Sequence, residues 1–357
     1  MRWRRCLAMT TSRRKFLGAA GASLLAPQLS ACGGVDKLPV ADVPRSGFDA
    51  DATAEQVTEG VDLEGKLVVV TGCTSGIGFE TMRVLARRGA NVVGTSRSKA
   101  RAEAACRKVI GSTIPVQLDL GDFDSVARCA DDLHALRSPV DMLINNAGYL
   151  GGGNERQLIN GVEKHFVINH LGHFILTNRL MDRLYISSQG RIVNVASRAA
   201  YRRAPDDGIR FNDLAMSDEY SDLLAYGQSK LANVLFSLKL AELLRGTRIT
   251  SNALHPGVIN TDIDRNLNPV TRFGFGLLVA LNGKSIEEGA ATTCYVATSN
   301  KLGNISGRYF EDCDAVTIEN EGHMQDMAMA DKLLQTSIEL TADWLVEFKA
   351  PRKEDFE

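Results

Sequence analysis

From Lys66 onward, short and continuously apolar runs alternate with longer segments of helical spacing. A strand that is apolar at every position must be covered on both faces, which in practice means a parallel sheet flanked by helices. The runs are Leu67–Thr71, Asn91–Thr95, Ile114–Leu118, Asp141–Ile144, Arg191–Val195, Arg248–Leu254 and Gly307–Phe310, the last expected at the sheet edge. Helices are expected over Gly76–Arg88, Lys99–Ile110, Phe123–Leu136, Gln157–Leu184, Leu224–Leu244 and Glu287–Thr298. A short helix over Thr53–Gly60 has Thr53 as cap and Gln56 three residues later. The expected fold is α/β, a single domain with a doubly wound parallel sheet, and its ligands belong at the carboxyl ends of the strands.

Composition narrows the functional classes. The chain has 357 residues, 44% hydrophobic and 24% charged, as a globular body requires. A net charge of −2 gives no basic excess, so nucleic acid is not an expected partner. The seven cysteines form no C-x-x-C pair and no zinc spacing, so neither a metal nor a disulfide framework is expected.

The N-terminus is a separate segment. Arg2, Arg4, Arg5, Arg13, Arg14 and Lys15 are unaccompanied by any acid before Cys32. Ser12-Arg13-Arg14-Lys15-Phe16-Leu17 is a twin-arginine pattern, and Leu29-Ser30-Ala31-Cys32 resembles a bacterial lipobox. The apolar run between them is shorter than the ~20 residues that span a bilayer, as in a signal segment. Residues 1–32 are therefore read as an export signal, with Cys32 as candidate lipid anchor and membrane tether. The protein would then sit on the periplasmic side of a bacterial envelope; otherwise it is cytoplasmic. The alternatives are a disordered leader, or a mis-assigned start with Met9 as the true first residue. Residues 33–52, rich in Gly, Pro and Asp, are expected to be a flexible tether, 53–349 the domain and 350–357 a charged tail.

The first apolar run leads into Thr71-Gly72-Cys73-Thr74-Ser75-Gly76-Ile77-Gly78. Glycine permits a sharp turn and a close approach of pyrophosphate, and the following helix offers free N–H groups to an anion. The same turn would also serve as a plain strand-to-helix link. After the second run stands Ser96-Arg97, where an acidic residue would select NAD; a guanidinium suits a 2′-phosphate, so NADP(H) is favoured over NAD(H). Asp119-Leu120 fits either the adenine edge or a helix cap. Asn145-Asn146-Ala147-Gly148 could bond backbone across strands, with glycine leaving room for ribose, or mark a turn.

Tyr226-Gly227-Gln228-Ser229-Lys230 opens a helix and places Tyr and Lys on one face. A free tyrosine ionises near ~10, and a neighbouring ammonium lowers that value. By itself this spacing is common on surface helices. Ser197, after the fifth run, could polarise a carbonyl. Asn169, inside the expected long helix, needs a partner if buried, since an orphaned amide costs ~1–3 kcal/mol. His255-Pro256-Gly257-Val258 follows the sixth run, where a break could cover a nicotinamide.

Taken in order, these motifs resemble the short-chain dehydrogenase/reductase family, over about Thr53 to Phe348. Phe166–Thr177, Gln228–Phe236, His255–Val258 and Ser306–Cys313 are similar to its retinol dehydrogenase and WW-domain-containing oxidoreductase branch, although no WW domain is present. The resemblance implies a Rossmann-type fold, Tyr226 as acid/base, Lys230 as its tuner and ribose ligand, Ser197 as carbonyl polariser and Asn169 as organiser of a proton-relay water. It implies cofactor contacts from Gly72, Thr74, Ser75, Gly76, Ile77, Gly78, Arg97, Asp119, Leu120, Asn146, Ala147, Gly148, Tyr226, Lys230, Pro256, Gly257, Val258 and Thr261. It also implies a homo-oligomer. Two departures stand out: Ala196 precedes Ser197 where many relatives have a second serine, and Ala200 stands where the retinol branch often has histidine.

Phe273, Phe275, Leu277, Leu278 and Leu281 fall between Ile259 and Ser285 and suggest an apolar lid over a small lipophilic carbonyl or alcohol, of retinoid, steroid or fatty-aldehyde type. They could equally pack on the core or a second subunit. His165, His170 and His173 share a helical segment, but no carboxylate completes a metal set at motif spacing, so these are expected to be structural or exposed. The competing readings are a non-catalytic NADP-binding lipoprotein, acting as redox sensor or binding module, and an NAD(P)-dependent epimerase or dehydratase.

Overall fold

The computed structural model describes residues 37–151, 153, 155–259, 283–319 and 322–347. In chain order its strands are β1 (Lys37–Pro39), β2 (Leu67–Val70), β3 (Asn91–Ser96), β4 (Ser112–Gln117), β5 (Met142–Asn145), β6 (Leu158–Ile159), β7 (Val162–Glu163), β8 (Arg191–Val195), β9 (Thr250–His255), β10 (Tyr309–Glu311) and β11 (Asp314–Ile318). Among the described residues, β6 and β7 pair with each other and the rest form one nine-stranded sheet, in the order β1-β11-β10-β9-β8-β5-β2-β3-β4. Neighbours from β4 to β10 are parallel. The strands β11 and β1 add antiparallel.

All four residues of β2 are buried. Because side chains alternate along a strand, Leu67 and Val69 feed one core and Val68 and Val70 the other. The first core contains Phe166, Phe174 and Leu235; the second contains Met82, Leu85 and Cys294. Each fully buried Val or Leu contributes roughly 1.5–3 kcal/mol. Both faces are thus committed to packing, and the doubly wound α/β architecture follows. Strand order reverses direction at β2 and β5, so the crevice outside their carboxyl ends is the natural ligand site.

Three expectations are corrected, and one helix was not foreseen. Tyr309–Glu311 is not an edge strand, because Asp312 and Cys313, at φ of 51° and 64°, make a tight turn into β11. The turn lacks the glycine that usually announces such geometry. Residues 37–52 are not a free tether: β1 pairs with β11, Val43 is buried, and the Ser46 amide donates to Asp314 Oδ1 at 2.7 Å. A three-residue strand carries too few positions to show periodicity.

The expected helix over Gln157–Leu184 is broken. It begins with the β6–β7 hairpin, and Glu163 then caps Lys164–Phe166 by accepting from the His165 and Phe166 amides. A π-helical turn, Val167–Leu171, joins this to Gly172–Arg179, and Met181–Tyr185 follows after a break at Leu180. Finally, an unforeseen helix, Met327–Thr341, is capped by Asp326 and packs on the Asp222–Leu243 helix. The twin-arginine segment, Cys32, Thr261, Phe273, Phe275, Leu277, Leu278, Leu281 and the 350–357 tail lie outside the described residues.

The packing of residues 37–52 has a measurable consequence. A chain that starts at Thr53 is expected to melt about 2 °C or more below one that starts at Lys37, since each kcal/mol lost moves the midpoint by roughly 2–4 °C in a large domain. Equal midpoints by scanning calorimetry would contradict it.

Candidate active site

The site starts where β2 stops being apolar. Thr71 Oγ1 accepts from the Asn146 and Ala147 amides, each at 2.9 Å, and Asn146 Nδ2 donates to Thr71 O at 2.8 Å. Asn145 Nδ2 reaches over to β8, donating to Asn194 Oδ1 at 2.9 Å. The Asn-Asn-Ala-Gly segment is thereby strapped over the turn after β2. Gly72 turns the chain at φ 76°. At Gly78 an added Cβ would stand 2.3 Å from Gly72 O and 2.4 Å from Asn146 Nδ2, so only glycine fits. Ser75 caps the Gly76–Arg87 helix without a side-chain bond, which leaves first-turn amides to the cleft.

That cleft has a volume of about 630 Å³. Gly72, Thr74, Ser75, Gly76, Ile77, Gly78, Arg97, Asp119, Leu120, Asn146, Ala147 and Gly148 all line it. So do residues the sequence did not single out, among them Tyr149, Lys164 and Arg101. Arg101 stands four residues after Arg97 on the Lys99–Cys106 side, a spacing that was readable. Neither guanidinium is ion-paired to an acid among the described residues. Asp119 is not the helix cap: Asp122 is, accepting from the Ser125 amide, while Asp119 Oδ1 accepts from the Gly121 amide at 3.0 Å. A glycine cradle, free helix amides and a basic end are the features that a dinucleotide with phosphates requires, and the residues present fit it.

The remaining candidates sit beside the cleft rather than in its wall. Asn169 lies in the π turn, a feature that in helices often accompanies functional residues. Its Oδ1 accepts from the Tyr149 amide at 2.7 Å, and its Nδ2 donates to Tyr149 O at 3.0 Å and Ser229 Oγ at 2.8 Å. Tyr149 therefore links the cleft to the Tyr226 helix. Ser197 is the side chain that favours the ionised form of the Tyr226 hydroxyl. Lys230 donates from Nζ to Val195 O at 2.8 Å and stands 5.6 Å from the centre of the Tyr226 ring. Pro256, Gly257 and Val258 follow β9; Gly257 is at φ 108° and Val258 O accepts from the Lys284 amide at 2.8 Å.

Burial governs the charges here. It pushes the Lys230 ammonium down to about 7. It pushes the Tyr226 hydroxyl up to about 12, against Ser197, which lowers it. Loss of water thus outweighs the pull that Ser197 exerts on the Tyr226 hydroxyl.

The three histidines of this segment are all bonded within the protein. His165 Nδ1 bonds Glu163 Oε1 at 2.7 Å while its Nε2 accepts from the Gly151 amide at 2.8 Å, and its ring lies edge-on to Tyr226 at 6.4 Å. His170 Nε2 meets Ser337 Oγ at 2.8 Å. His173 bridges Asn169 O, at 3.0 Å, and Thr71 Oγ1, at 2.9 Å. A carbonyl only accepts, so the proton is on His173 Nδ1 and the Thr71 hydroxyl donates to Nε2. Burial holds His173 down at about 4, which keeps that neutral form. Sequence reasoning missed this bridge because Thr71 and His173 come together only in the folded chain. The link predicts that His173→Ala weakens dinucleotide binding about tenfold, through the Thr71 strap and without touching the ligand. Unchanged binding by fluorescence titration would refute it.

Comparison with known proteins agrees with this geometry. Residues 66–207 match the family described as short chain dehydrogenase. The chain is 39% identical over 312 residues to the chloroplastic short-chain dehydrogenase TIC 32 A of Brassica napus, covering 83% of this chain and 95% of that one. It is 38% identical over 291 residues to retinol dehydrogenase 12 of Mus musculus, covering 79% and 88%. Among solved structures, an uncharacterized protein of Mycobacterium Paratuberculosis is 32% identical with a TM-score of 0.64, covering 85% of this chain and all of that one. The Pseudomonas aeruginosa RhlG/NADP active-site complex is 25% identical with a TM-score of 0.56, covering 70% and 95%. The chain belongs to the short-chain dehydrogenase/reductase family and is an NAD(P)-dependent oxidoreductase acting on CH–OH groups.

Proposed function

We propose that the protein interconverts a lipophilic carbonyl and its alcohol with NADP(H), using Tyr226 as the acid/base. The observation that carries this reading is Lys230, held by Val195 O with its ammonium 5.6 Å from the centre of the Tyr226 ring, next to a cleft with two arginines at its edge. When bound, the nicotinamide nucleotide supplies or takes the hydride. In the reducing direction the Ser197 and Tyr226 hydroxyls donate to the substrate oxygen, and Tyr226 gives up its proton as the carbon–oxygen double bond becomes single. Ser197 and the Lys230 ammonium stabilise the resulting phenolate. Lys230, poised near neutrality by burial, is suited to return a proton to it. Asn169 holds Tyr149 and Ser229, and so fixes the helix that carries Tyr226 and Lys230.

NADP(H) is favoured because Arg97 and Arg101 offer two guanidinium groups where a 2′-phosphate would lie. The retinol dehydrogenase relatives and the apolar side chains between Ile259 and Ser285 support a lipophilic substrate. Homo-oligomers are part of the same reading. So is export: residues 1–32 carry a twin-arginine pattern and a lipobox at Cys32, which would leave the domain tethered at a bacterial envelope. No helix among the described residues is long and apolar enough to cross a membrane. Mass spectrometry that finds mature protein starting upstream of Arg13 would overturn the export reading.

Two variants test the enzyme. Tyr226→Phe should lower kcat by about 10²–10⁴ with NADPH affinity kept within about threefold. A variant with full turnover of long-chain aldehydes, retinal or steroid ketones would remove Tyr226 from the chemistry; loss of NADPH binding would make its role structural. Replacing Arg97 and Arg101 together by Ala should weaken NADPH about tenfold or more and leave NADH within about twofold. Equal losses for both nucleotides would contradict the 2′-phosphate assignment.

A further inference from the structure

The turn between β10 and β11 gathers two carboxylates and three cations from distant parts of the chain. Glu311 has a side chain only 1% exposed. Its Oε2 accepts from Arg198 Nε at 3.1 Å and Nη2 at 3.0 Å, and Oε1 accepts from the Tyr201 hydroxyl at 3.1 Å. The second cation on Oε2 is the Lys37 ammonium. Lys37 also donates to Asp312 Oδ2 at 3.2 Å, and Lys284 to Asp312 Oδ1 at 2.6 Å. Arg198 is the residue after Ser197, whose carbonyl accepts from the Ala200 amide at 3.0 Å to start the Ala199–Arg202 helix. Lys37 comes from β1, ahead of the nucleotide-binding core and far from the cleft in sequence.

We infer that Lys37 is a positioning residue for the carbonyl site: with Arg198 it clamps the buried Glu311 carboxylate, and the clamp holds the Ser197 backbone in place. The inference rests on the proposed role of Ser197. A buried carboxylate is tolerated when it is paired and hydrogen-bonded on all sides, and its geometry then becomes sharply specified. Without Lys37, Glu311 keeps Arg198 and Asp312 keeps Lys284, but the one cation that bridges the two carboxylates is gone, so Glu311 can shift and carry the Ser197–Arg203 segment with it. A misplacement of about 1 Å at a group that contacts substrate is enough to cost up to ~100-fold in rate. The segment just ahead of the core would in this way belong to the active site.

The test uses the full chain. In Lys37→Met, amide hydrogen exchange of residues 196–203 should quicken about tenfold while residues 222–243 keep their protection. With a carbonyl substrate, kcat/KM should fall about tenfold or more and NADPH affinity stay within about twofold. Lys37→Arg should restore both readouts. In a Glu311→Gln background, Lys37→Met should have little further effect, because the carboxylate it clamps is gone. Wild-type exchange in Lys37→Met, or a full additive effect on top of Glu311→Gln, would overturn the clamp. Ser197→Ala separates the two claims: full activity there removes the role of Ser197, while the exchange measurement still decides the clamp.

Discussion

A strand apolar on both faces has no side chain left for chemistry. β2 is such a strand, and its burial between two cores forces the polar work of the protein to the first residue after it. That residue is Thr71. Its hydroxyl takes two amides from the segment after β5 and gives its own proton to His173, whose other nitrogen holds the carbonyl of Asn169. One hydroxyl therefore couples the glycine cradle, the Asn-Asn-Ala-Gly strap and the π turn. The cleft and the helix that carries Tyr226 are thus tied to the same anchor, through Asn169 and Ser229.

The second organising effect is loss of water. Burial keeps His173 neutral and so fixes the direction of every proton in the Thr71 bridge. It brings Lys230 toward neutrality, where an amine exchanges protons most readily, and it holds Tyr226 in its protonated form. Lys230 is buried against Val195 O, a neutral acceptor, rather than a carboxylate. An ion pair there would keep the lysine fully charged and make it a poorer proton carrier. Glu311, equally buried, is treated in the opposite way, with cations on its oxygen. The difference fits the two proposed roles, proton exchange in one case and fixed geometry in the other.

Much of this was legible in the sequence, for identifiable reasons. The apolar runs gave the parallel strands because double-sided burial leaves no polar position to confuse the reading. The glycine turn, Asn146, Arg97 and Tyr226 were legible because each occupies a fixed offset from a strand or helix end. What was not legible depends on contacts across the fold. The helix expected over Gln157–Leu184 hid a hairpin and a π turn, because its apolar residues continue through both. Glu163, which caps the helix proper, reads as any surface acid until its amide partners are known. The β11 strand was missed for want of a turn signal, and residues 37–39 because a single strand turn of sequence has no period. The Lys37–Glu311 contact needed the positions of neighbouring elements, whereas Arg101, four residues after Arg97, was open to the reading and overlooked.

The central claim is that dehydration at the Tyr226 helix, rather than a charge partner, sets the protonation of Lys230. The direct measurement is a pH titration of the full chain with ¹³C-labelled lysine side chains, followed by NMR. One lysine resonance should titrate near pH 7, well below the others, and should be missing from Lys230→Met. If every lysine titrates at its ordinary value near ~10.4, the site is wet, and the account of its electrostatics is wrong.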